Sequence, residues 1–416
     1  MEIERNRYIK KILDRKENGL IKIITGIRRC GKSFLLFNLY KKKLIESGVK
    51  ENHIIEMALD DISYLEYRDP KNLYEYIKSK ILDSNIHYVF IDEIQLLESN
   101  FAELINGLMR LGNLDIYITG SNSRFLSSDI LTEFRGRGDE IRVFPLSFSE
   151  LNSAYDNINN AWNDYYTYGG LPLLLTRKSD ELKAEYLISL FENIYINDIK
   201  DRNNIKTDDE LDILIDIIAS AIGSLTNPSK LSRSFKSMSQ KTLSDKTIKQ
   251  YLDYLEDSFM VEKAVRYDVK GKKYIDTPAK YYFEDVGLRN ARLNFRQQEE
   301  NHIMENIIYT ELRSRGYRVD VGIIEVYETN AIGKREKKQL EIDFIANRGN
   351  KKIYIQSAYA ISSMEKMQQE KRPLNKLSDS FKKVLIVKDD IKSKIDENGL
   401  VTMGIYEFLL NENSLD

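Results

Sequence analysis

The chain is poor in the residues that build metal centres and covalent staples: its 416 residues include one cysteine and three histidines. The lone Cys30 excludes an internal disulfide and fits a reducing cytoplasm. His53, His87 and His302, with that one thiol, are too few for a structural zinc site. Long hydrophobic runs are missing as well, so no membrane helix is expected. The opening MEIERNRYIKK is charged from the start and lacks the apolar stretch of a secretion signal, which again points to the cytoplasm. Net charge is only −2, so no overall field recruits nucleic acid, and any such binding has to come from a local patch.

What the chain does have is a strong signal near its start. Residues 21–33, IKIITGIRRCGKS, carry Gly26, Gly31, Lys32 and Ser33 in the spacing G-x-x-x-x-G-K-[ST]. The β-branched run 21–25 reads as a buried strand, and Leu35, Leu36 and Leu39 read as a helix that starts inside the motif. Glycines let backbone N–H groups turn inward around a β-phosphate, and the helix N-terminus adds partial positive charge. Gly26, Ile27, Arg28, Arg29, Cys30, Gly31, Lys32, Ser33 and Phe34 are therefore expected to cradle ATP. Lys32 reaches the β/γ-phosphates, and the Ser33 hydroxyl ligates Mg2+.

Sixty residues beyond Lys32, the stretch 86–95 (IHYVFIDEIQ) is an apolar strand closing on two carboxylates. Asp92 at its end holds Mg2+ through water, and Glu93 orients and deprotonates the attacking water. The next strand, 114–119, ends in Gly120-Ser121-Asn122. A polar residue leaving this strand between the two motifs feels the γ-phosphate; alternatively, Ser121 or Asn122 caps the following helix, 124–133. Arg137, in Arg135-Gly136-Arg137-Gly138, is either an arginine finger aimed at a neighbouring copy's nucleotide in a homo-oligomer or a solvated charge. This succession of strands, helices and motifs is that of AAA-type ATPases, an α/β fold with a parallel sheet and helices on both faces.

ITGIRRCGKS, the Asp-Glu strand, ITGSNS, the GRG stretch and FPLSFSEL (144–151) together resemble a widespread prokaryotic family of AAA-type ATP-binding proteins with an uncharacterised C-terminal domain. TYGGLP (167–172), KYYFEDVGLRNAR (280–292) and HIMENIIYTELRSRGYRV (302–319) resemble the same family, so the likeness runs along nearly the whole chain. It implies ATP binding and hydrolysis and leaves the physiological task open. The expected plan is a P-loop ATPase core over 1–145, a helical lid and connector over 146–205, a winged-helix domain over 206–285, and a restriction-endonuclease-like domain over 286–416.

Helices expected over 211–222, 228–237 and 243–259, the last with Ser244 as N-cap, precede a hairpin of strands 261–267 and 274–283. That is winged-helix order. Residues 228–250 hold six Lys/Arg (Lys230, Arg233, Lys236, Lys241, Lys246, Lys249) against Asp245, and 263–273 hold five basic residues against Asp268. These excesses fall at the helix start and the wing, where duplex DNA would meet residues 228–273. The same lysines are equally compatible with a solvated face or a packing module.

The last stretch pairs a helix glutamate with a strand aspartate and, thirteen residues on, a Gln-x-Ala where nucleases of this plan carry a carboxylate, a spacer and a lysine. Glu305, Asp343 and Gln356 take the metal-ligand places. The lysine place is Ala358, leaving only Lys351 or Lys352 as nearby substitutes, so nuclease activity is not expected. The expected function is an ATPase coupling nucleotide state to DNA or protein-partner binding. The alternatives are a nucleotide-gated switch with little turnover and an ATP-dependent nuclease.

Overall fold

The structure is a computed structural model and describes residues 2–97, 101–121, 137–205, 208–297, 299–329, 334–361 and 363–416. The expected helix 124–133, Asn122, Arg135 and Gly136 lie outside the described residues. The chain divides into two compact units, one made of 1–146 with 171–173 and 257–259, the other of 147–170, 174–256 and 260–416.

In the first unit four apolar runs and the polar stretch 138–142 form strands. They are β1 (Ile21–Thr25), β2 (Ile54–Ala58), β3 (His87–Asp92), β4 (Leu114–Thr119) and β5 (Gly138–Arg142). All neighbours pair in parallel, in the order β2-β3-β4-β1-β5. β4 thus lies between the strand feeding the phosphate motif and the strand carrying the carboxylates, and all three strand ends open on one edge, where ligands of such sheets bind. One face packs Ile21, Ile23, Met57, Val89, Ile91, Ile116 and Ile118 against Leu73, Ile77, Leu104, Ile105 and Leu108. Those partners come from helices Pro70–Ser79 and Phe101–Met109.

Buried on the other side is a charge that the apolar reading of β1 did not anticipate. Lys22 pairs with Asp115 on neighbouring β4. Tyr117 donates to the same carboxylate at 2.7 Å, and its hydroxyl meets that of Tyr40 at 2.6 Å. A buried charge persists where a partner and further hydrogen bonds surround it, as here.

The second unit begins with helices Phe148–Asn152, Ile158–Tyr168 and Asp180–Leu190, the last continuing to 203, followed by Asp208–Ser220, Pro228–Ser239 and Asp245–Asp257. Ser244 Oγ accepts from Thr247 N at 3.1 Å, the N-cap its position suggested. The hairpin follows as β6 (Val261–Asp268) and β7 (Lys273–Phe283), then a helix Glu300–Ser314 and strands β8 (Arg318–Thr329), β9 (Arg335–Arg348), β10 (Lys351–Ala358), β11 (Lys382–Val387), β12 (Lys394–Ile395) and β13 (Leu400–Gly404).

The C-terminal strands on both sides of residue 285 belong to one eight-stranded sheet, ordered β12-β13-β11-β10-β9-β8-β6-β7. β6 pairs in parallel with β8, Arg266 to Val321 and Asp268 to Ile323, so the hairpin is the end of the C-terminal sheet. The physical reason is that a hairpin leaves one row of backbone groups open on each flank, and β8 satisfies those of β6.

Candidate functional site

The phosphate loop starts where β1 ends. Gly26 has φ +140°, and a Cβ there would lie 2.1 Å from Val143 O, so only glycine allows the loop to pass this close to the chain leaving β5. Arg29 at φ +64° and Gly31 at φ +97° turn the chain back into the helix beginning at Lys32–Phe34. That helix widens at once into a π-helical turn, Leu35–Tyr40, an irregularity frequent at functional sites. Ile27 and Cys30 are buried, Arg28 is half-buried, and Arg29, Ser33 and Phe34 are exposed. Cys30 Sγ donates to Val143 O at 3.4 Å, and the buried Arg5 guanidinium donates to Cys30 O at 3.1 Å and Phe144 O at 2.7 Å. Arg5 therefore straps the loop to the segment after β5. Nothing in its sequence neighbourhood signals that role.

Lys32 is buried, with Nζ donating to Gly26 O at 2.9 Å and Ile27 O at 3.1 Å. At the end of β3, burial pushes the Asp92 carboxyl up, against hydrogen bonds from Thr119 and Ser33. The Thr119 hydroxyl donates to Asp92 and accepts from Glu93 N at 3.1 Å, so one side chain at the end of β4 fixes both members of the carboxylate pair. Glu93 sits at φ +51°, half-buried, with its carboxylate accepting from the Gln95 amide. Ser121 is buried one residue past Gly120, whose N–H donates to Ile24 O on β1 at 3.2 Å. Arg137 is exposed at the entry to β5, with Nη1 3.5 Å from Asn106 Oδ1.

A hydroxyl and a carboxylate meeting beside a buried lysine are hard oxygen donors, the set that suits Mg2+. Thr119, Gln95 and Arg5 are the residues that sequence reasoning missed. Thr119 alone carried a local signal, as the last polar residue of a strand already singled out.

A second cluster lies in the other unit. Glu305, on Glu300–Ser314, and Asp343, on β9, come together with Gln356 of β10, whose Oε1 accepts from Asp343 N at 3.4 Å. Ala358 packs in the apolar core with Ile342 and Leu385. Lys351 and Lys352, the expected substitutes, are engaged elsewhere: Lys351 pairs with Asp416 at 2.6 Å, and Lys352 lies over the rings of Tyr267 and Phe381. The cation present is Lys280 of β7, 2.8 Å from Glu305, 2.7 Å from Glu341 and 4.0 Å from Asp343.

A third group, His53, Asp83 and His87, brings ligand atoms within 4.8 Å of one another. His87 Nε2 accepts from Leu82 N at 3.1 Å and Nδ1 donates to Asn85 O at 2.9 Å, so both its nitrogens are already committed to backbone.

A parallel five-stranded sheet with a phosphate loop after β1 and a carboxylate pair after β3 defines a nucleotide-binding protein of AAA type. Residues 18–152 match the family described as "AAA domain", and residues 159–299 match a domain of unknown function (DUF8612). The chain is 34% identical over 416 residues to an uncharacterized protein of Haemophilus influenzae, covering 98% of each, and it belongs to the same family as that protein. An uncharacterized protein of Methanocaldococcus jannaschii is 27% identical over 363 residues, 83% of this chain and 76% of its own. Among solved structures, the Orc1 protein of Aeropyrum pernix in complex with DNA aligns at 11% identity and a TM-score of 0.29, over 70% of this chain and 92% of that one. Among the described residues no helix is long and apolar enough to cross a membrane.

Proposed function

We propose that the chain is a cytoplasmic ATPase that couples its nucleotide state to binding of DNA or a protein partner. The observation carrying this reading is the Thr119 bridge, since a single hydroxyl holds the Asp92 carboxylate and the backbone N–H of Glu93, the two residues that water activation needs. Residues 26–34 bind the triphosphate, with Lys32 leaving the carbonyls of Gly26 and Ile27 for the β/γ-phosphates. Ser33 and Asp92 hold Mg2+, which when bound neutralises charge on the phosphates. Glu93 orients the attacking water and takes its proton, while Thr119 keeps Glu93 and Asp92 in register. Ser121 and Asn122 sense the γ-phosphate, and Arg137 serves a neighbouring copy in a homo-oligomer.

Two substitutions test this assignment. Lys32→Ala is expected to abolish ATP binding. Glu93→Gln is expected to keep binding and lower turnover by about 10²–10⁴-fold, the usual worth of a positioned general base. Unchanged turnover in Glu93→Gln removes the assigned role.

Residues 146–205 are read as lid and connector, 206–285 as a winged helix, and 286–416 as an endonuclease-like module without its nuclease. Lys230, Arg233, Lys236, Lys246 and Lys249 are all exposed, which supports a DNA-facing role for 228–273. Duplex DNA is then expected to stimulate ATP hydrolysis, and Lys246→Glu with Lys249→Glu to abolish the stimulation; equal stimulation in both chains argues against it.

One observation favours the slower, nucleotide-retaining switch. The Gln95 amide holds the Glu93 carboxylate, so water activation requires that clasp to open. On this reading Gln95→Ala raises basal turnover several-fold without changing ATP affinity, measured under steady-state and equilibrium conditions respectively.

A further inference from the structure

We infer that the Lys280 ammonium is the built-in cation of the Glu305–Asp343 cluster, standing where a divalent ion would otherwise be held and turning a nuclease-like site into an internal joint. The inference builds on the endonuclease-like reading of 286–416 and is independent of the ATPase site.

The geometry leaves little room for another occupant. Lys280 is 3% exposed, Glu305 6% and Asp343 7%, so these three are withdrawn from water, while Glu341 is partly exposed. Nζ contacts Glu305 Oε1 at 2.8 Å and Glu341 Oε1 at 2.7 Å, with Asp343 Oδ1 at 4.0 Å. Glu305 Oε1 also accepts from the Tyr282 hydroxyl at 2.6 Å, two residues along the same strand. Asp343 Oδ2 is occupied by Ser357 N at 2.8 Å and Ser357 Oγ at 3.1 Å. Gly223 roofs the site: a Cβ there would lie 2.8 Å from His302 Nδ1 and 3.3 Å from Glu305 Oε2.

Bringing a dication into this space adds two charges beside a buried ammonium, a repulsion that low local polarity magnifies. Lys280 also occupies the Glu305 and Glu341 oxygens that a metal would take, so a dication has to displace it. Three carboxylates face the one lysine, and burial together with the Glu305 charge pushes Asp343, the farthest of them, up to about 7; their charge explains why so long a cation is buried at all. Burial works against both partners, yet the carboxylates hold the lysine well above its ordinary range, and Lys280 with its neighbours holds Glu305 at about 2.

The same contacts give the cluster a mechanical task. Lys280 and Tyr282 come from β7, Glu305 from the helix and Asp343 from β9, so the ion group pins the outermost strand to the helix packed on it and to a strand separated from it by β6 and β8. Asn306, next to Glu305, extends the seam by exchanging two 2.8 Å hydrogen bonds with the backbone of Phe283.

The test uses the full chain without nucleotide and follows Mn2+ binding by electron paramagnetic resonance, together with thermal unfolding. The wild-type chain is expected to bind no Mn2+ that Glu305→Gln removes. Lys280→Gln is expected to lower the melting temperature by several degrees and to gain a Mn2+ site that the added Glu305→Gln change abolishes. The double variant Lys280→Gln/Glu305→Gln should be more stable than Lys280→Gln alone, and this comparison also serves if the single variant does not fold. Glu305-dependent Mn2+ binding in the wild type overturns the inference, as does a double variant no more stable than the single, or a Lys280→Gln chain that folds and gains no Mn2+. Mn2+-dependent nicking of DNA by the wild type, lost in Asp343→Ala, would instead overturn the reading of 286–416 as a module without its nuclease.

Discussion

Thr119 shows how much one hydroxyl can organise. It has one proton to give, to Asp92, and a lone pair to receive Glu93 N–H, and valine offers neither while filling nearly the same space. Thr119→Val is therefore expected to keep the sheet intact and lower ATP turnover about tenfold or more, the order lost when a preorganised contact to a catalytic group is removed. Thr119→Ser should restore most of it. If valine and serine variants turn over alike, the bridge has no catalytic weight. The residues legible from sequence at this site, Lys32, Ser33, Asp92 and Glu93, are those whose spacing along the chain is itself the signal. Arg5, Gln95 and Thr119 escaped because each acts through a partner chosen by the fold, Arg5 reaching Phe144 across most of the unit's length.

Elements were legible where one segment decides its own fate. The strands of the parallel sheet and the helix capped by Ser244 follow from composition and local hydrogen bonding. Gly169-Gly170 reads equally clearly as a helix stop, but its further role depends on a residue far along the chain. Asp285, buried at the start of the helix Val286–Arg292, accepts from Gly170 N at 2.7 Å and Leu288 N at 3.2 Å. A Cβ on Gly169 would lie 2.1 Å from its carboxylate, so the glycine pair is a socket for it. Burial pushes Asp285 up to about 6, although backbone N–H groups pull the other way. The folded chain thus keeps a proton that the unfolded chain has released, over the interval between an ordinary aspartate value and about 6. This carboxyl favours folding at low pH, and its contribution is lost as pH rises through the folded-state value. Asp285→Asn removes the titration, so its melting temperature should fall less steeply than that of the wild type from about pH 4 to about pH 6. Parallel slopes would show that the carboxyl does not titrate there.

At the scale of the whole chain, the sequence suggested four successive modules, and the eight-stranded sheet joins the last two. The reason this was hidden is that β6 finds β8 across a turn, a hairpin strand and two helices, a pairing no local pattern encodes. Residues 286–416 expressed alone lose β6, β7 and Lys280, exposing the flank of β8 and leaving Glu305 and Asp343 without their cation. That piece is expected to aggregate, whereas residues 147–416 keep all eight strands and should remain soluble and unfold cooperatively. A monomeric, cooperatively unfolding 286–416 would contradict the shared sheet. The shared ion group also constrains descent. A lineage that replaced the stretch ahead of residue 285 by recombination would inherit buried acids from one parent and no base from the other. The two stretches are therefore expected to be passed on together, with Lys280 and Glu305 changing only in concert.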